Sequence, residues 1–417
     1  MQKPILPGTA LPDGRQPTLG VMGGGQLGRM FVQAAQRMGY FTVVLDADPA
    51  SPAGQVSQYH IAADYLDDQA LAQLMQRSAA ITTEFENVPA PALVTLGAHR
   101  PVAPNAQCVA IAQDRRVEKA MLAQLAKTSG MPRGMPPSIG PVPFAIIDTA
   151  ADLAAAPDAC LPGMLKTATL GYDGKGQIKV ASRADLAAAW AQLNNVPCVL
   201  EQFAPLVAEC SVVLARGADG HMVTLPVARN VHINSILAYS EVYEGNLPVE
   251  LINAAQAASQ CIAEGLEYVG VLCVEFFILK DAHGQLSATS PLAVNEIAPR
   301  PHNSGHWSMD GCNVSQFELQ VRALCGLPLP TPRQHSASVM LNILGDQWFA
   351  SDGQNSQPRS PDWSAVLALP GVHLHLYGKL DARRGRKMGH LTITAPTAQA
   401  ARAVAAQAAG VLGIPFV

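Results

Sequence analysis

No apolar run in this sequence approaches the ~18 residues of a membrane span. The best candidate, Tyr268–Leu279, is short and is interrupted by Glu275. Residues 1–17 lack the charged-then-apolar pattern of a secretion signal and read as a Pro/Gly-rich flexible leader. None of the eight cysteines falls in a C-x-x-C pair, and each sits among apolar residues. That argues against a structural zinc site and for free thiols in a reducing cytoplasm. Charge is sparse as well. Only 14% of residues are charged and the net charge is -4, so a nucleic-acid partner is not expected. What is present is a chain of 417 residues, 49% hydrophobic, long enough for two or three domains with their own cores.

The first hundred residues alternate strand and helix. The apolar run Thr18–Met22 enters Gly23–Gly24–Gly25–Gln26–Leu27–Gly28, a G-x-G-x-x-G turn, and a helical pattern spans Gln26–Met38. A strand Phe41–Leu45 then ends at Asp46. This βαβ opening suits a dinucleotide, a monophosphate on the helix N-terminus, or simply close packing of helix on strand. A second alternation, helix Leu71–Arg77 and strand Ala79–Thr83, delivers Glu84 to a strand's carboxyl end. There it could accept hydrogen bonds from ribose hydroxyls. Glu86 reads as a solvated acid at a helix start. One helix is predicted from about Gln107 to Ala126, and most of its charges, Glu118 and Lys119 among them, read as a solvated face, with one arginine able to reach a phosphate.

The middle of the chain handles anions. After the Pro/Gly-rich linker Pro132–Pro143 and strand Phe144–Ile147, the strand Met164–Lys166 ends in a lysine. The loop Gly171–Gln177 follows, with Gly171, Gly174 and Gly176. A strand lysine followed by a glycine-rich hairpin suits covering a phosphate, or is an ordinary hairpin, and the order is that of neither a P-loop nor a kinase. Strand Val199–Phe203 carries Glu201 and suits a hinge for an adenine edge, with Glu209 near ribose. Glu275 interrupts the apolar strand Val271–Leu279, where an unpaired carboxylate is costly. Glu296 lies on the strand-like run Leu292–Ile297. Two carboxylates on neighbouring strands suit Mg²⁺, with Mn²⁺ as a substitute, bridged to phosphates. Beyond Glu296 the chain breaks at Pro299 and Pro301 into a loop presenting Arg300, His302 and Asn303.

These residues carry a resemblance. Lys166, Gly171–Gln177, Glu201–Ala204, Glu209, Glu275 and Asn295–Glu296 are similar to the ATP-grasp enzymes. Adding Gly23–Met30, Ile81–Pro89 and Asn295–His306, nearly the whole chain after Pro17 resembles the N5-carboxyaminoimidazole ribonucleotide synthetase family. The resemblance implies an α/β architecture: an ATP-grasp fold with an N-terminal Rossmann-like (pre-ATP-grasp) domain and a small C-terminal α+β domain. Boundaries would fall at 18–117, 118–328 (with a mobile lid at about 145–205) and 335–417. It implies a cytoplasmic homodimeric ligase of purine biosynthesis. ATP would activate bicarbonate as carboxyphosphate, and 5-aminoimidazole ribonucleotide would capture the carboxyl group. By position, Arg115, Lys166, Gly171, Tyr172, Asp173, Gly174, Lys175, Gly176, Gln177, Glu201, Gln202, Phe203, Ala204, Glu209, His232, Asn295 and Glu296 would hold ATP. Glu275 and Glu296 would hold the metal. Arg300, His302 and Asn303 would hold bicarbonate, with Asp173 at the attacking amine. Gln26, Leu27, Glu84, Tyr172, Asp173, Lys175, Lys379 and Arg386 would hold the ribonucleotide. One departure is Ala168, two residues after the strand lysine, where family members often carry arginine.

Toward the C-terminus, helix Gln316–Cys325 and strands Val339–Gly345, Val372–Tyr377 and His390–Thr394 are expected, then an alanine-rich helix Thr397–Leu412. His373 and His375 read as ordinary strand histidines. Five cations, Lys379, Arg383, Arg384, Arg386 and Lys387, crowd one loop, which reads either as a solvated basic run or, in an acidic protein, as a functional cluster; the resemblance implies that Lys379 and Arg386 hold the ribonucleotide phosphate. The readings left open are another ATP-grasp ligase, a nicotinamide dehydrogenase resting on the glycine turn, and a non-catalytic nucleotide sensor.

Overall fold

In the computed structural model, residues 3–127, 139–171, 175–349 and 359–416 are described. Their strands form three sheets. The first is parallel and built from β1 (Thr18–Met22), β2 (Phe41–Leu45), β3 (Tyr59–Ile61) and β4 (Ala80–Thr83), in the order β3-β2-β1-β4. All five residues of β1 are buried, as expected of a parallel strand covered on both faces. The second sheet is a four-stranded antiparallel plate of β5 (Phe144–Ile147), β6 (Gly163–Thr167), β7 (Gln177–Val180) and β8 (Cys198–Gln202), in the order β5-β8-β6-β7.

The third sheet holds Glu275 and Glu296. It comprises β9 (Leu206–Arg216), β10 (Met222–Thr224), β11 (Ala228–Ile233), β12 (Ile236–Val242), β13 (Gly270–Leu279), β14 (Leu292–Ala298), β15 (Ala337–Leu344), β16 (Val372–Leu376) and β17 (Lys387–Ala395). Its path is β14-β13-β9-β11-β12-β15-β17-β16, with β10 paired to β9. The C-terminal strands therefore continue the central sheet through the β12–β15 ladder. Helix Val249–Gly265 covers it through Leu251, Ala255, Ala258 and Ile262, which meet Val212, Leu272 and Val274. Burying each such leucine, valine or isoleucine contributes about 1.5–3 kcal/mol.

Helix Gln316–Cys325 joins two units. Phe317, Val321 and Leu324 enter the core of the first sheet, beside Val21 and Phe31. Leu319 and Ala323 face the central sheet. The leader is not loose throughout: Ile5 enters the same core, donates its N–H to the Cys325 carbonyl at 2.9 Å, and accepts from the Tyr40 hydroxyl at 2.6 Å. The single helix expected over Gln107–Ala126 is two, Ala106–Gln113 and Arg115–Lys127, because Asp114 is extended (φ -127°, ψ 109°) and binds Arg116 with its side chain. A domain boundary at 117–118 therefore falls inside a helix. Among the described residues no helix is long and apolar enough to cross a membrane.

Candidate active site

Where the three sheets meet lies a cavity of about 610 Å³. Its floor is the β13–β14 ladder, in which Glu275 and Glu296 are direct partners in register. Both carboxylates reach the cavity. Burial, then the charge of Glu296, raises the Glu275 pKa. For Glu296 burial is outweighed by Arg115, whose Nη1 lies 3.0 Å from Oε2, with help from Lys166, and its pKa falls. Asn295 donates to Glu275 at 3.4 Å, and its own Oδ1 is buried without a partner.

Arg115 brings two neighbours with it. Residues three and four positions on along a helix share its face, so Glu118 and Lys119 also turn inward. They are buried, not the solvated face expected from the sequence. Glu118 accepts from the Ile297 N–H at 2.7 Å, and burial pushes its carboxyl up to about 7. Lys119 donates to the Asn295 carbonyl. It also shares Glu201 Oε2 with Lys166, at 3.3 and 3.0 Å. Burial opposes the Glu201 charge, but the two lysines outweigh it and hold its pKa down to about 2. The other oxygen, Oε1, is buried without a partner. Glu209 meets His232 Nδ1 at 3.1 Å, and this pairing outweighs burial to raise the histidine pKa.

The second sheet forms the opposite wall. Gly171, Lys175, Gln177, Gln202, Phe203 and Ala204 line the cavity, and Gln177 donates to Ser235 Oγ at 3.1 Å. Gly176 takes φ +71° at the hairpin turn. Tyr172, Asp173 and Gly174 lie outside the described residues. At the departure from the family pattern, the Ala168 carbonyl accepts from the Arg115 N–H at 2.8 Å, tying the end of β6 to that helix start.

Two expectations need correction. The turn's amides do not await a phosphate. Gly24 N–H donates to Asp46 at 2.7 Å, and Gly25 and Gly28 N–H donate to the two oxygens of Glu84 at 3.0 Å each. The chain's own carboxylates thus take up the three glycine amides of the turn. Glycine is required here: Gly23 has φ +102°, and a Cβ on it would come 2.5 Å from Glu84. Gln26, Leu27 and Glu84 still line the cavity. Glu86 is not a solvated acid. It pairs with Arg300 Nε. Burial would raise its pKa, but the guanidinium beside it holds it down to about 2.

That pair sets a pH dependence. A depressed carboxylate pKa contributes stability above its unfolded value, and the contribution is lost as pH falls through the folded value. The shift from 4.5 to about 2 corresponds to about 3 kcal/mol. Denaturant unfolding of wild type should therefore lose about that much more between pH 5 and pH 2 than Glu86→Gln does. Equal losses in the two proteins would contradict the pairing.

The loop after β14 is held by Gln316, which is fully buried. It accepts from the His302 N–H at 2.8 Å and donates to the His302 carbonyl at 2.7 Å. Its amide also lies 2.9 Å from His306 Nδ1. Nothing in the sequence marked Gln316. Asn303 is buried in the cavity wall with both amide atoms unpartnered. Of the basic loop, Lys387 lines the cavity, while Lys379 and Arg386 do not. Lys379 donates to the Lys387 carbonyl at 2.7 Å and Arg386 to the Asp381 carbonyl at 2.8 Å, so both bind the backbone of their own hairpin. His306 and Tyr377, also missed, complete the wall. Among the described residues no group of three or more His, Cys, Asp or Glu is arranged to hold a metal ion.

This geometry can be set beside known proteins. Residues 17–113 match the ribonucleotide synthetase preATP-grasp domain, 138–317 the ATP-grasp domain, and 338–404 the phosphoribosylaminoimidazole carboxylase C-terminal domain. The N5-carboxyaminoimidazole ribonucleotide synthase of Brucella melitensis is 41% identical over 382 residues, 91% of this chain and 96% of that protein. The chain belongs to the N5-carboxyaminoimidazole ribonucleotide synthase family. An ADP complex of such a synthetase is 35% identical with a TM-score of 0.82, covering 99% of this chain and 98% of that one. The Aspergillus clavatus enzyme, solved with ADP and 5-aminoimidazole ribonucleotide, is 30% identical with a TM-score of 0.80, over 95% of this chain and 98% of that one. Membership makes this chain an ATP-binding ATP-grasp ligase of purine biosynthesis, and the dehydrogenase reading of the glycine turn falls away.

Proposed function

We propose that this enzyme carboxylates 5-aminoimidazole ribonucleotide to its N5-carboxyamino derivative by using ATP to activate bicarbonate as carboxyphosphate. The observation that carries this is one cavity lined both by a nucleotide set, Lys166, Glu201, Glu209 and His232, and by an anion set, Arg300, His302 and Asn303. Between the two stand Glu275 and Glu296. They fit Mg²⁺ or Mn²⁺: an adjacent carboxylate pair, beside an unpartnered Asn295 oxygen, suits a hard cation that takes its remaining oxygens from phosphates and water. Such an ion would neutralise charge as the phosphoryl group moves.

The residues divide the work. Arg115 and Lys166 offset the repulsion between bicarbonate and the triphosphate. The Arg300 guanidinium stabilises the bicarbonate oxygens and then the carboxyphosphate charge. The Asn303 amide offers an N–H donor to the same anion. His302 completes that end of the cavity. The loop Gly171–Gln177 shields carboxyphosphate from water, and Asp173 orients the exocyclic amine or accepts its proton. Gln26, Leu27, Glu84, Tyr172, Lys175 and Lys387 hold the ribonucleotide, with Lys379 and Arg386 supporting its phosphate from the neighbouring hairpin. The eight free cysteines suit a cytoplasmic enzyme, and we infer a homodimer as in the family pattern.

Phosphate release from ATP tests this. It should rise when bicarbonate and 5-aminoimidazole ribonucleotide are both supplied. An ATPase rate that ignores both ligands would contradict the reading, and equal release with formate in place of bicarbonate would point to a formate-using ligase.

A further inference from the structure

A row of polar side chains crosses the apolar central sheet toward the anion end of the cavity. Ser240 on β12, Asn230 on β11 and Ser211 on β9 are buried, as is Ser304 in the loop after β14. Ser240 Oγ lies 2.8 Å from Asn230 Oδ1, Asn230 Nδ2 3.0 Å from Ser211 Oγ, and Ser211 Oγ 2.6 Å from Ser304 Oγ. Ser304 Oγ lies 2.9 Å from His302 Nδ1. Ser211 is also the register partner of Glu275 on β13, so the row runs beside the carboxylate pair. Buried hydroxyls and amides need partners, but an apolar sheet could have dispensed with all four. Their continuity to one imidazole is the feature to explain.

The direction of the chain follows from its end. The Ser304 backbone N–H points at His302 Nδ1 at 3.4 Å, and a backbone amide can only donate. His302 Nδ1 is therefore an acceptor. Ser304 Oγ, at the same nitrogen, donates to it. Ser304 must then accept from Ser211, Ser211 from the Asn230 amide, and the Asn230 oxygen from Ser240. On the far side of the ring, Nε2 lies 3.4 Å from Glu275 Oε1 and faces the cavity end that Arg300 and Asn303 also line. Gln316 fixes the His302 backbone on both its N–H and its carbonyl, and the Ser304 contacts hold the ring at Nδ1.

We propose that the Ser240–Asn230–Ser211–Ser304 relay locks His302 as its Nε2–H tautomer, which makes this histidine a fixed hydrogen-bond donor to the bound anion and not a proton acceptor. The four relay residues are positioning residues; none touches the cavity. The proposal rests on the reading of Arg300, His302 and Asn303 as the bicarbonate end of the site. In chemical terms, a neutral imidazole with its proton facing the anion adds a donor beside Arg300 without adding a further charge next to it.

The test is the tautomer itself. In protein carrying ¹⁵N-histidine, two-bond ¹⁵N–¹H correlations at neutral pH report which ring nitrogen holds the proton, and His302→Gln assigns the signal. Wild type should give the Nε2–H pattern. Ser304→Ala, which deletes the donating hydroxyl, should lose much of it and raise KM for bicarbonate about tenfold with KM for ATP unchanged. Ser211→Ala, farther from the ring and less disruptive to the loop, should shift the tautomer in the same direction. An Nδ1–H pattern in wild type, which is the same chain run in reverse with the Asn230 amide flipped, would overturn the relay. So would an unchanged Nε2–H pattern in both serine variants. A tautomer shift without any change in bicarbonate KM would overturn the anion-donor role while leaving the relay. The tautomer result stands whether or not the wild-type ATPase responds to bicarbonate, so failure of the relay and failure of the bicarbonate reading are distinguishable.

Discussion

Arg300→Ala should lower bicarbonate-dependent turnover by about 10²–10³-fold while ATP still binds. Removing one preorganised donor aimed at a developing anion typically costs that much. The geometry allows it here. Arg300 commits Nε to Glu86 and Nη1 to the Pro301 carbonyl, and among the described residues Nη2 has no hydrogen-bond partner. One edge of the guanidinium is thus anchored and the remaining donor is available to the cavity it lines. The anchoring confounds the simple variant, because alanine leaves Glu86 as an unpaired carboxylate. Breaking a buried pair from one side costs about 3–5 kcal/mol. Arg300→Ala combined with Glu86→Gln removes that penalty. Thermal melting should recover in the double variant and turnover should not. Nucleotide affinity, measured by calorimetry with ADP, should stay within a factor of about 3 of wild type, since Arg300 bonds Glu86 and Pro301 and, among the described residues, shares no partner with Lys166, Glu201, Glu209 or His232. Normal turnover in Arg300→Ala, or recovery of turnover with stability in the double variant, would remove Arg300 from the chemistry.

The sequence carried the elements well where the pattern was local. Strands β1, β2 and β5 and helix Gln316–Cys325 have the bounds that apolar periodicity and flanking glycines indicate. The Glu275 and Glu296 pairing was also legible, because a carboxylate within an apolar strand demands a reason. What failed were questions of partner. Glu86 looked solvated because its counter-ion lies 214 residues away. Glu118 and Lys119 looked like surface charge, although their spacing from Arg115 put all three on one helix face and could have signalled otherwise. The glycine turn looked ready for phosphate because no local pattern reveals that Glu84, from another strand, satisfies its amides. The row Ser240, Asn230, Ser211 and Ser304 is invisible in sequence for the same reason: it exists only once four separate segments lie side by side.

The carboxylate pair sets activity against stability, and Glu275→Gln should separate the two. Glu275 and Glu296 face each other across an antiparallel ladder, and burial with a like charge beside it pushes Glu275 toward its protonated form. Glutamine has the shape of that protonated acid. In a chelator, the variant should therefore melt at or above the wild-type temperature, since it loses a repulsion and keeps the volume. With Mg²⁺ and ATP the order should invert. Wild type gains a ligand whose charge offsets the pair, and ligand binding to the folded state raises its melting temperature. The variant has one carboxylate where wild type has two and should gain less. Turnover at a fixed Mg²⁺ concentration should fall at least about 10²-fold, because charge neutralisation at a transferring phosphoryl group contributes several kcal/mol. Raising Mg²⁺ should recover part of the loss if weakened binding is the cause. Glu296→Gln should lose turnover too but should not gain stability, because it also leaves Arg115 without its carboxylate. That asymmetry is the discriminating result: a Glu275→Gln protein that melts below wild type in chelator, or that responds to Mg²⁺ as wild type does, would mean the two carboxylates are not a shared cation site.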